Sequence, residues 1–212
     1  MLEKEMNNRV SGLLAFMSAV MLLGCDLQSE KKLPYLGRRE VNNSDTIYHT
    51  IADFKFVNQD SNYVTQETFR DQIYVSDFFF TTCPTICPIM KTQMLRVYEK
   101  YKDNPQVGIL SHSIDPKHDT VAVLRSFAER LGAESDKWHF VTGEKEEIYK
   151  MGQTSYMVSA VEDPSEPGGF IHSGAFILVD KERRVRGIYD GTLADQVDVM
   201  MKDMEILLKE YE

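Results

Sequence analysis

Two cysteines stand close together in the stretch TTCPTICPIM, residues 81–90, with three residues between Cys83 and Cys87. A disulfide between positions this close constrains the unfolded chain much less than one that closes a long loop. A structural disulfide is therefore a poor explanation for the pair. Thiolates are nucleophiles in disulfide exchange and ligands for soft metal ions, so redox or metal chemistry is the better explanation.

The spacing of the two cysteines favours a metal. In C-x-x-C loops one sulfur attacks a partner and the other resolves the mixed disulfide. A third intervening residue widens the loop, so that both thiolates can be directed at one ion. Each cysteine precedes a proline, which restricts the residue before it and is tolerated in the first turn of a helix. A helix N-terminus also stabilises thiolate.

The segments on either side of the cysteines predict the elements that position them. Residues 73–80 and 107–114 are apolar runs rich in strand-forming residues, as expected of strands buried on both faces. Between them, apolar residues fall at helical spacing at Met90, Met94, Val97 and Tyr101. The cysteines would then lie between the end of the first strand and the start of the helix.

The rest of the chain continues an alternation of strands and helices. The sequence predicts a hairpin at 54–65, a helix capped by Asp119 or Thr120, a strand at 138–142, a helix at 144–151, a hairpin from 174–180 and 184–190, and a last helix. Parallel strands closed by an antiparallel pair follow from this order. We therefore predict a thioredoxin-like α/β fold, in which helices flank a central mixed sheet that carries an N-terminal β-hairpin.

Two sulfurs do not complete a metal site, and histidine is the expected third ligand. Of five histidines, His172 has the most informative context, because it follows the loop DPSEPGGFI and stands two residues before the run GAFILVD. In a thioredoxin-like fold the loop before that strand packs against the dithiol and carries a cis-proline. Here the nearest proline, Pro167, lies five residues before His172. This departure predicts His172 as a ligand.

The N-terminal residues are typical of an export signal. Residues 10–23 are apolar or small and uncharged, which suits a signal peptide and is short for a membrane span. The sequence Leu-Leu-Gly-Cys that ends at Cys25 resembles a bacterial lipobox. We predict a signal peptide at 1–24, a lipidated tether at 25–50 that begins at Cys25, and a domain at 51–212. An uncleaved N-terminal anchor is the alternative, and both place the domain outside the cytoplasm.

Composition excludes nucleic acid as a partner. The formal charge is −9, and no cluster of basic residues such as phosphate binding requires is present. With Cys25 lipidated, the three cysteines leave one pair, and exported compartments permit it to oxidise.

The stretches DFFFTTCPTICPIM, SIDPKHDT, WHFVTG, HSGAFILVD and YDGT resemble the Sco/SenC family over roughly residues 50–212. That family consists of membrane-anchored, thioredoxin-like copper-binding proteins that act in the assembly of cytochrome c oxidase. The resemblance implies a metallochaperone of the bacterial cell envelope, here taken as a monomer. Its implied partners are the copper-site subunit of the oxidase, a copper donor protein and a thioredoxin-like reductant.

The resemblance also implies individual residue roles. Copper, as Cu(I) or Cu(II), would be bound by Cys83, Cys87 and His172, and Asp115 of SIDP would support the site without binding the ion. Many members have an acidic residue directly before the histidine, whereas this chain has Ile171. Two thiolates and an imidazole suit Cu(I), while a closed structural zinc site needs a fourth ligand that the sequence does not offer.

An enzyme is the rival hypothesis. A tethered thiol–disulfide oxidoreductase would need Cys83 and Cys87 but not His172, and a peroxide-reducing thiol enzyme is a weaker alternative. Asp77, inside the apolar strand, could accept a proton from the dithiol or serve only as a hydrogen-bonded core residue. We leave Asp77 outside the ligand set.

Overall fold

The computed structural model describes residues 32–42, 45–163, 165 and 169–212, without the side chains of 160–162, 171 and 172. The predicted signal peptide, Cys25 and the first part of the tether lie outside these residues. The residues from Lys32 onward form one compact unit. Within the part of the chain that the structure describes, no helix has both the length and the apolar character needed to cross a membrane.

Eleven strands are described: β1 (Arg39–Asn42), β2 (Asp45–Tyr48), β3 (Lys55–Asn58), β4 (Tyr63–Thr65), β5 (Ile73–Phe79), β6 (Val107–Ser113), β7 (Trp138–Thr142), β8 (Ala160–Glu162), β9 (Phe170–His172), β10 (Ala175–Val179) and β11 (Val185–Asp190). The α-helices are α1 (Cys87–Tyr101), α2 (Val121–Leu131), α3 (Lys145–Lys150) and α4 (Ala194–Lys209). A 3₁₀-helix spans Gln66–Phe69, and a π-helical turn spans Met151–Ser155.

A seven-stranded mixed sheet forms the centre of the unit, in the order β11-β10-β5-β6-β7-β3-β4. Strands β5, β6 and β7 are parallel, and β10 and β11 complete one side as antiparallel neighbours. The hairpin of β3 and β4 closes the other side. The residues of β5 and β6 are all buried, as expected for central strands with both faces covered.

The two faces of the sheet carry different layers, because successive side chains of a strand point to opposite faces. On one face, the Phe127 ring of α2 packs 5.4 Å from Phe79, and Lys91 of α1 reaches Asp77. On the other face, the Tyr156 ring, which follows the π-helical turn, packs 5.5 Å from Phe78. Helix α4 lies beside α1, where the Tyr101 hydroxyl donates to a carbonyl of α4.

Most predicted elements are present, with three differences in detail. Thr120, and not Asp119, is the N-cap of α2, and its hydroxyl accepts a hydrogen bond from the Val123 N–H. The helix predicted at 144–151 continues into the π-helical turn. Strands β1 and β2 form a two-stranded ribbon in a segment for which the sequence predicted no regular structure. Their residues are almost all exposed, so no apolar alternation marked them as strands.

A buried arginine fixes the start of the described chain to the domain. Arg186 of β11 donates to the carbonyls of Leu33 and Pro34, at 2.7 Å and 3.1 Å. Its guanidinium also pairs with Asp180 and with Glu210, just beyond α4. The segment that enters the domain is thereby held against the C-terminal helix.

Candidate metal centre

The two cysteines lie between the end of β5 and the start of α1, as the sequence predicted. Cys83 belongs to a turn in which its N–H donates to the Phe80 carbonyl at 3.3 Å, and Cys87 is the first residue of α1. Pro88 occupies the second helical position, where its missing N–H has no cost. Both thiols are present without a disulfide, and their residues are 7% and 4% exposed.

The two sulfurs have opposite electrostatic environments. Burial raises the pKa of the Cys83 thiol, but hydrogen bonds from the backbone N–H groups of Thr85 and Cys87, and from both side chains, bring it below its ordinary value. The Thr85 hydroxyl lies 3.6 Å from the Cys83 sulfur. Burial raises the pKa of the Cys87 thiol far above its ordinary range, against the opposing effects of Lys91 and a backbone hydrogen bond from Phe80. Cys83 is therefore the more acidic of the two thiols.

Asp119 holds the cysteine loop in place. Its carboxylate accepts hydrogen bonds from the Thr81 N–H at 3.1 Å, from the Thr81 hydroxyl, and from the Ser113 hydroxyl at 2.6 Å. Asp119 is fully buried, and Thr81 precedes Cys83 by two residues. The sequence suggested Asp119 only as a candidate helix cap. The neighbouring Thr120 can serve as that cap, which could have indicated that Asp119 has another role.

Asp115 lies in the same loop, four residues earlier. Its carboxylate accepts a long hydrogen bond of 3.4 Å from the His118 N–H, and its own N–H donates one to the Ser113 hydroxyl oxygen at 3.2 Å. These contacts shape its own turn. Its role in support of a metal ligand stays a prediction.

His172 belongs to a segment that contacts the cysteine loop. His172 ends β9, where it pairs with Ala160 of β8. Two residues earlier, the Phe170 ring packs 4.9 Å from Phe80. Two residues later, a Cβ built on Gly174 would lie 3.7 Å from the Cδ1 atom of Ile86, which stands between the cysteines. Contacts on both sides of His172 thus link its strand to the loop, although its side chain is not among those described.

The remaining histidines are held by the fold or face solvent. One ring nitrogen of His49, of His112 and of His139 has a polar partner within 3.3 Å. Burial lowers the pKa of His112 and of His139 to about 4. His118 is exposed in the loop before α2. This agrees with the interpretation of these four as core or surface residues.

Asp77, which the sequence left outside the ligand set, forms a buried ion pair. Its carboxylate lies 2.7 Å from the ammonium of Lys91, and Lys91 follows Cys87 by one helical turn. Among the described side chains, no three metal-binding residues are grouped together. The two sulfurs nevertheless fit a soft metal ion, since thiolates are soft ligands and both residues lie at a helix N-terminus.

Residues 42–209, well over half of the chain, match the SCO1/SenC family. The chain belongs to this family. A SCO1 homologue of Bacillus subtilis is 32% identical over 76% of the chain and 84% of its own length. The resemblance inferred from the cysteine motif and its surroundings is thereby confirmed.

Solved structures of Sco proteins share the fold. BsSco, described as a Sco-family cytochrome c oxidase assembly protein with a disulfide switch, is 28% identical, with a TM-score of 0.69 over 84% of this chain and 98% of its own. A SCO1/SenC family lipoprotein from Bacillus anthracis is also 28% identical, with a TM-score of 0.68 over 76% and 95%. Arabidopsis thaliana ScoI with copper bound is 25% identical, with a TM-score of 0.60 over 73% and 97%. The thioredoxin-like fold predicted from the sequence is confirmed.

Proposed function

We propose that this protein is a membrane-tethered copper metallochaperone that assists assembly of the copper centre of cytochrome c oxidase. The observation that carries the proposal is the meeting of two segments. The cysteine loop is linked to the strand that ends at His172 by contacts on both sides of that residue. Membership of the SCO1/SenC family, which includes a structure with copper bound, supports the choice of metal.

The donor set accounts for the metal preference. Thiolates select Cu(I) among the available ions, and imidazole also suits copper, so Cys83, Cys87 and His172 would hold Cu(I) and also accommodate Cu(II). Three ligands leave the ion open to exchange with the ligands of an acceptor protein. A delivery protein needs this incomplete coordination, because a closed four-ligand site would retain its metal.

A lipid on Cys25 would keep the domain at the membrane that contains its acceptor. The lipobox-like sequence before Cys25 motivates this part of the proposal, and a lipoprotein among the family's structures supports it. The expected acceptor is the copper-site subunit of the oxidase. A copper donor and a thioredoxin-like reductant that keeps the two thiols reduced are the other expected partners.

A copper titration of the reduced full-length protein beside its His172→Ala variant tests the proposal. We expect one Cu(I) per wild-type chain and a loss of at least about a hundredfold in affinity for the variant, because one of three ligands is removed. His118→Ala, which removes an exposed histidine, is the matched control and should bind as wild type does. Equal copper affinity in wild type and His172→Ala would rule out the three-ligand site.

The unequal thiols favour thiol–disulfide exchange as a second candidate function. Cys83, whose thiol is the more acidic, would attack a disulfide as the thiolate, and the neighbouring Cys87 would resolve the product. This activity needs no histidine, so His172→Ala would reduce a test disulfide as fast as wild type. If wild type reduces the test disulfide and takes up no copper, the oxidoreductase is the correct assignment.

A further inference from the structure

A lysine is buried directly behind the cysteine loop. Lys91 follows Cys87 by four residues in α1, so the two share one face of the helix. Side chains of a helix lean towards its N-terminus, which directs Lys91 back towards Cys87. Lys91 is 4% exposed, and its charge acts on the Cys87 thiol.

A chain of hydrogen bonds fixes the position of this ammonium group. Asp77 accepts from Lys91 at 2.7 Å, and its other oxygen accepts from the Ser111 hydroxyl. The Ser111 oxygen in turn accepts from the indole N–H of Trp138 at 2.9 Å. Asp77 and Ser111 are fully buried, on adjacent strands of the sheet. The ion pair therefore has a defined position, and α1 connects it to the dithiol at the start of the helix.

Aromatic rings enclose the ammonium and keep water away. The Nζ atom of Lys91 lies 4.1 Å from the ring centroid of Phe79, 5.6 Å from that of Phe140 and 5.7 Å from that of Trp138. Ring faces attract cations, and exclusion of water leaves the charge poorly screened. Its field can therefore extend beyond Asp77 to a site one helical turn away.

Stability alone is a weak explanation for this arrangement. Replacing a buried ion pair with apolar residues of similar volume is often neutral or stabilising, because removing both charges from water is costly. A layer that already contains Phe79, Trp138 and Phe140 could be completed by an apolar side chain. The charge itself is the feature that an apolar residue could not supply.

We propose that Lys91 is a fixed positive charge that makes the Cys83–Cys87 dithiolate selective for a monovalent soft cation, and that Asp77 positions and moderates this charge. The inference rests on the proposed copper function. Two thiolates, a neutral imidazole and Cu(I) carry a net charge of −1, whereas the Cu(II) complex is neutral. A nearby cation stabilises the anionic complex more than the neutral one, so it shifts the preference of the site towards Cu(I).

Four variants of the reduced full-length protein test the inference by competition with a chelator for Cu(I), and separately for Cu(II). A positive charge repels either ion as it enters the dithiolate, and repels Cu(II) more, so the deciding quantity is the ratio of Cu(I) affinity to Cu(II) affinity. Lys91→Met should lower this ratio about tenfold. Asp77→Asn should raise the ratio above that of wild type, because the carboxylate no longer offsets the ammonium. The double variant should fall between Lys91→Met and wild type, and it leaves no unpaired buried charge that could prevent folding. Lys100→Met, an exposed lysine on the same helix, should match wild type.

The two single substitutions are expected to change the ratio of the two copper affinities in opposite directions, and this separates an electrostatic role of Lys91 from a structural one. If both single substitutions shift the ratio of Cu(I) affinity to Cu(II) affinity in the same direction, or if neither shifts it, Lys91 is only a structural residue. Ag(I), a monovalent ion that two thiolates can bind without His172, is measured in parallel. A wild-type protein that binds Ag(I) and no copper would overturn the proposed function, while the ratio of Ag(I) affinity to the affinity for Zn(II), a divalent ion that thiolates also bind, would still decide the role of Lys91.

Discussion

At the scale of single residues, the two cysteines differ because of what surrounds them. Both precede a proline, and both lie near the same helix N-terminus. Cys83 receives hydrogen bonds from backbone N–H groups of its loop, whereas Cys87 points into the packed interior. A metal binds a sulfur only after its proton is lost, and the more acidic thiol loses its proton at a lower cost, so we expect Cys83 to be the first sulfur to engage copper.

Asp119 provides the residue-scale prediction. Asp119→Ala removes the acceptor of the Thr81 N–H and of two hydroxyl groups, and each buried donor left unpaired costs about 1–3 kcal/mol. We expect a free energy of unfolding lower by at least about 2 kcal/mol and a weaker Cu(I) affinity, because Thr81 fixes the loop before Cys83. Urea unfolding and chelator competition measure the two effects. Asp103→Ala, which removes an exposed carboxylate, is the control and should match wild type, and an unchanged copper affinity in Asp119→Ala would contradict the assignment.

At the scale of elements, the candidate site requires two segments that are far apart in the chain. Helix α1 begins at Cys87 and presents one sulfur, while β9 ends at His172. The ring contact between Phe80 and Phe170 joins the cysteine loop to the β8–β9 hairpin. The hairpin contributes no strand to the seven-stranded sheet, so its side-chain contacts are important for its position.

Removal of this ring contact should therefore loosen the site more than it loosens the fold. Phe170→Ala deletes an aromatic pair worth about 1 kcal/mol and frees the hairpin beside His172. We expect Cu(I) affinity to fall about tenfold, while the midpoint of urea unfolding changes little, because the central sheet is untouched. Tyr63→Ala, which truncates an exposed aromatic residue of the β3–β4 hairpin, is the control. A copper affinity equal to that of wild type would show that the contact does not position the ligand.

At the scale of the whole molecule, the two faces of the sheet divide the polar interior. The face beneath α1 contains the Asp77–Lys91 pair, close to the cysteine loop. The opposite face contains His112, stacked 4.7 Å from Phe78 between the sheet and the π-helical turn. We therefore expect the first polar group to affect metal binding and the second to affect stability.

The buried histidines predict that acid destabilises the protein. The pKa of His112 and of His139 is about 4 in the folded state, against an ordinary value of 6.5. Between these values the unfolded chain binds more protons, so stability decreases as pH falls from 6.5 to 4, by about 3 kcal/mol for each histidine. Urea unfolding at pH 7.5 and 4.5 measures the loss.

Substitution of one histidine tests the cause of this acid sensitivity. His112→Phe places an apolar ring among the neighbouring aromatic rings, and the difference in unfolding free energy between the two pH values should shrink by about half. His118→Ala removes an exposed histidine and should retain the wild-type difference. An unchanged difference in His112→Phe would assign the acid sensitivity to other groups.

Local patterns in the sequence were sufficient to predict most of the architecture. Apolar runs predicted β5 and β6, helical spacing predicted α1, and the order of elements predicted a parallel centre with an antiparallel side. These features depend on neighbours within a few residues, which is why they can be read from one chain. The spacing of Cys83 and Cys87, and the place of His172 before a strand, gave the candidate ligands in the same way.

Only the tertiary structure decided which polar residues act together. Asp119 contacts Thr81 across 38 positions, and Ser111 joins Asp77 from the adjacent strand. No periodicity in the sequence indicates such a pairing, because the pairing depends on strand register and on how helices pack across the sheet. Burial likewise separated Cys83 from Cys87, which the sequence presents as equivalent. The sequence determined the elements and the types of ligand, and three-dimensional packing determined their electrostatics, since desolvation and distance exist only after the chain has folded.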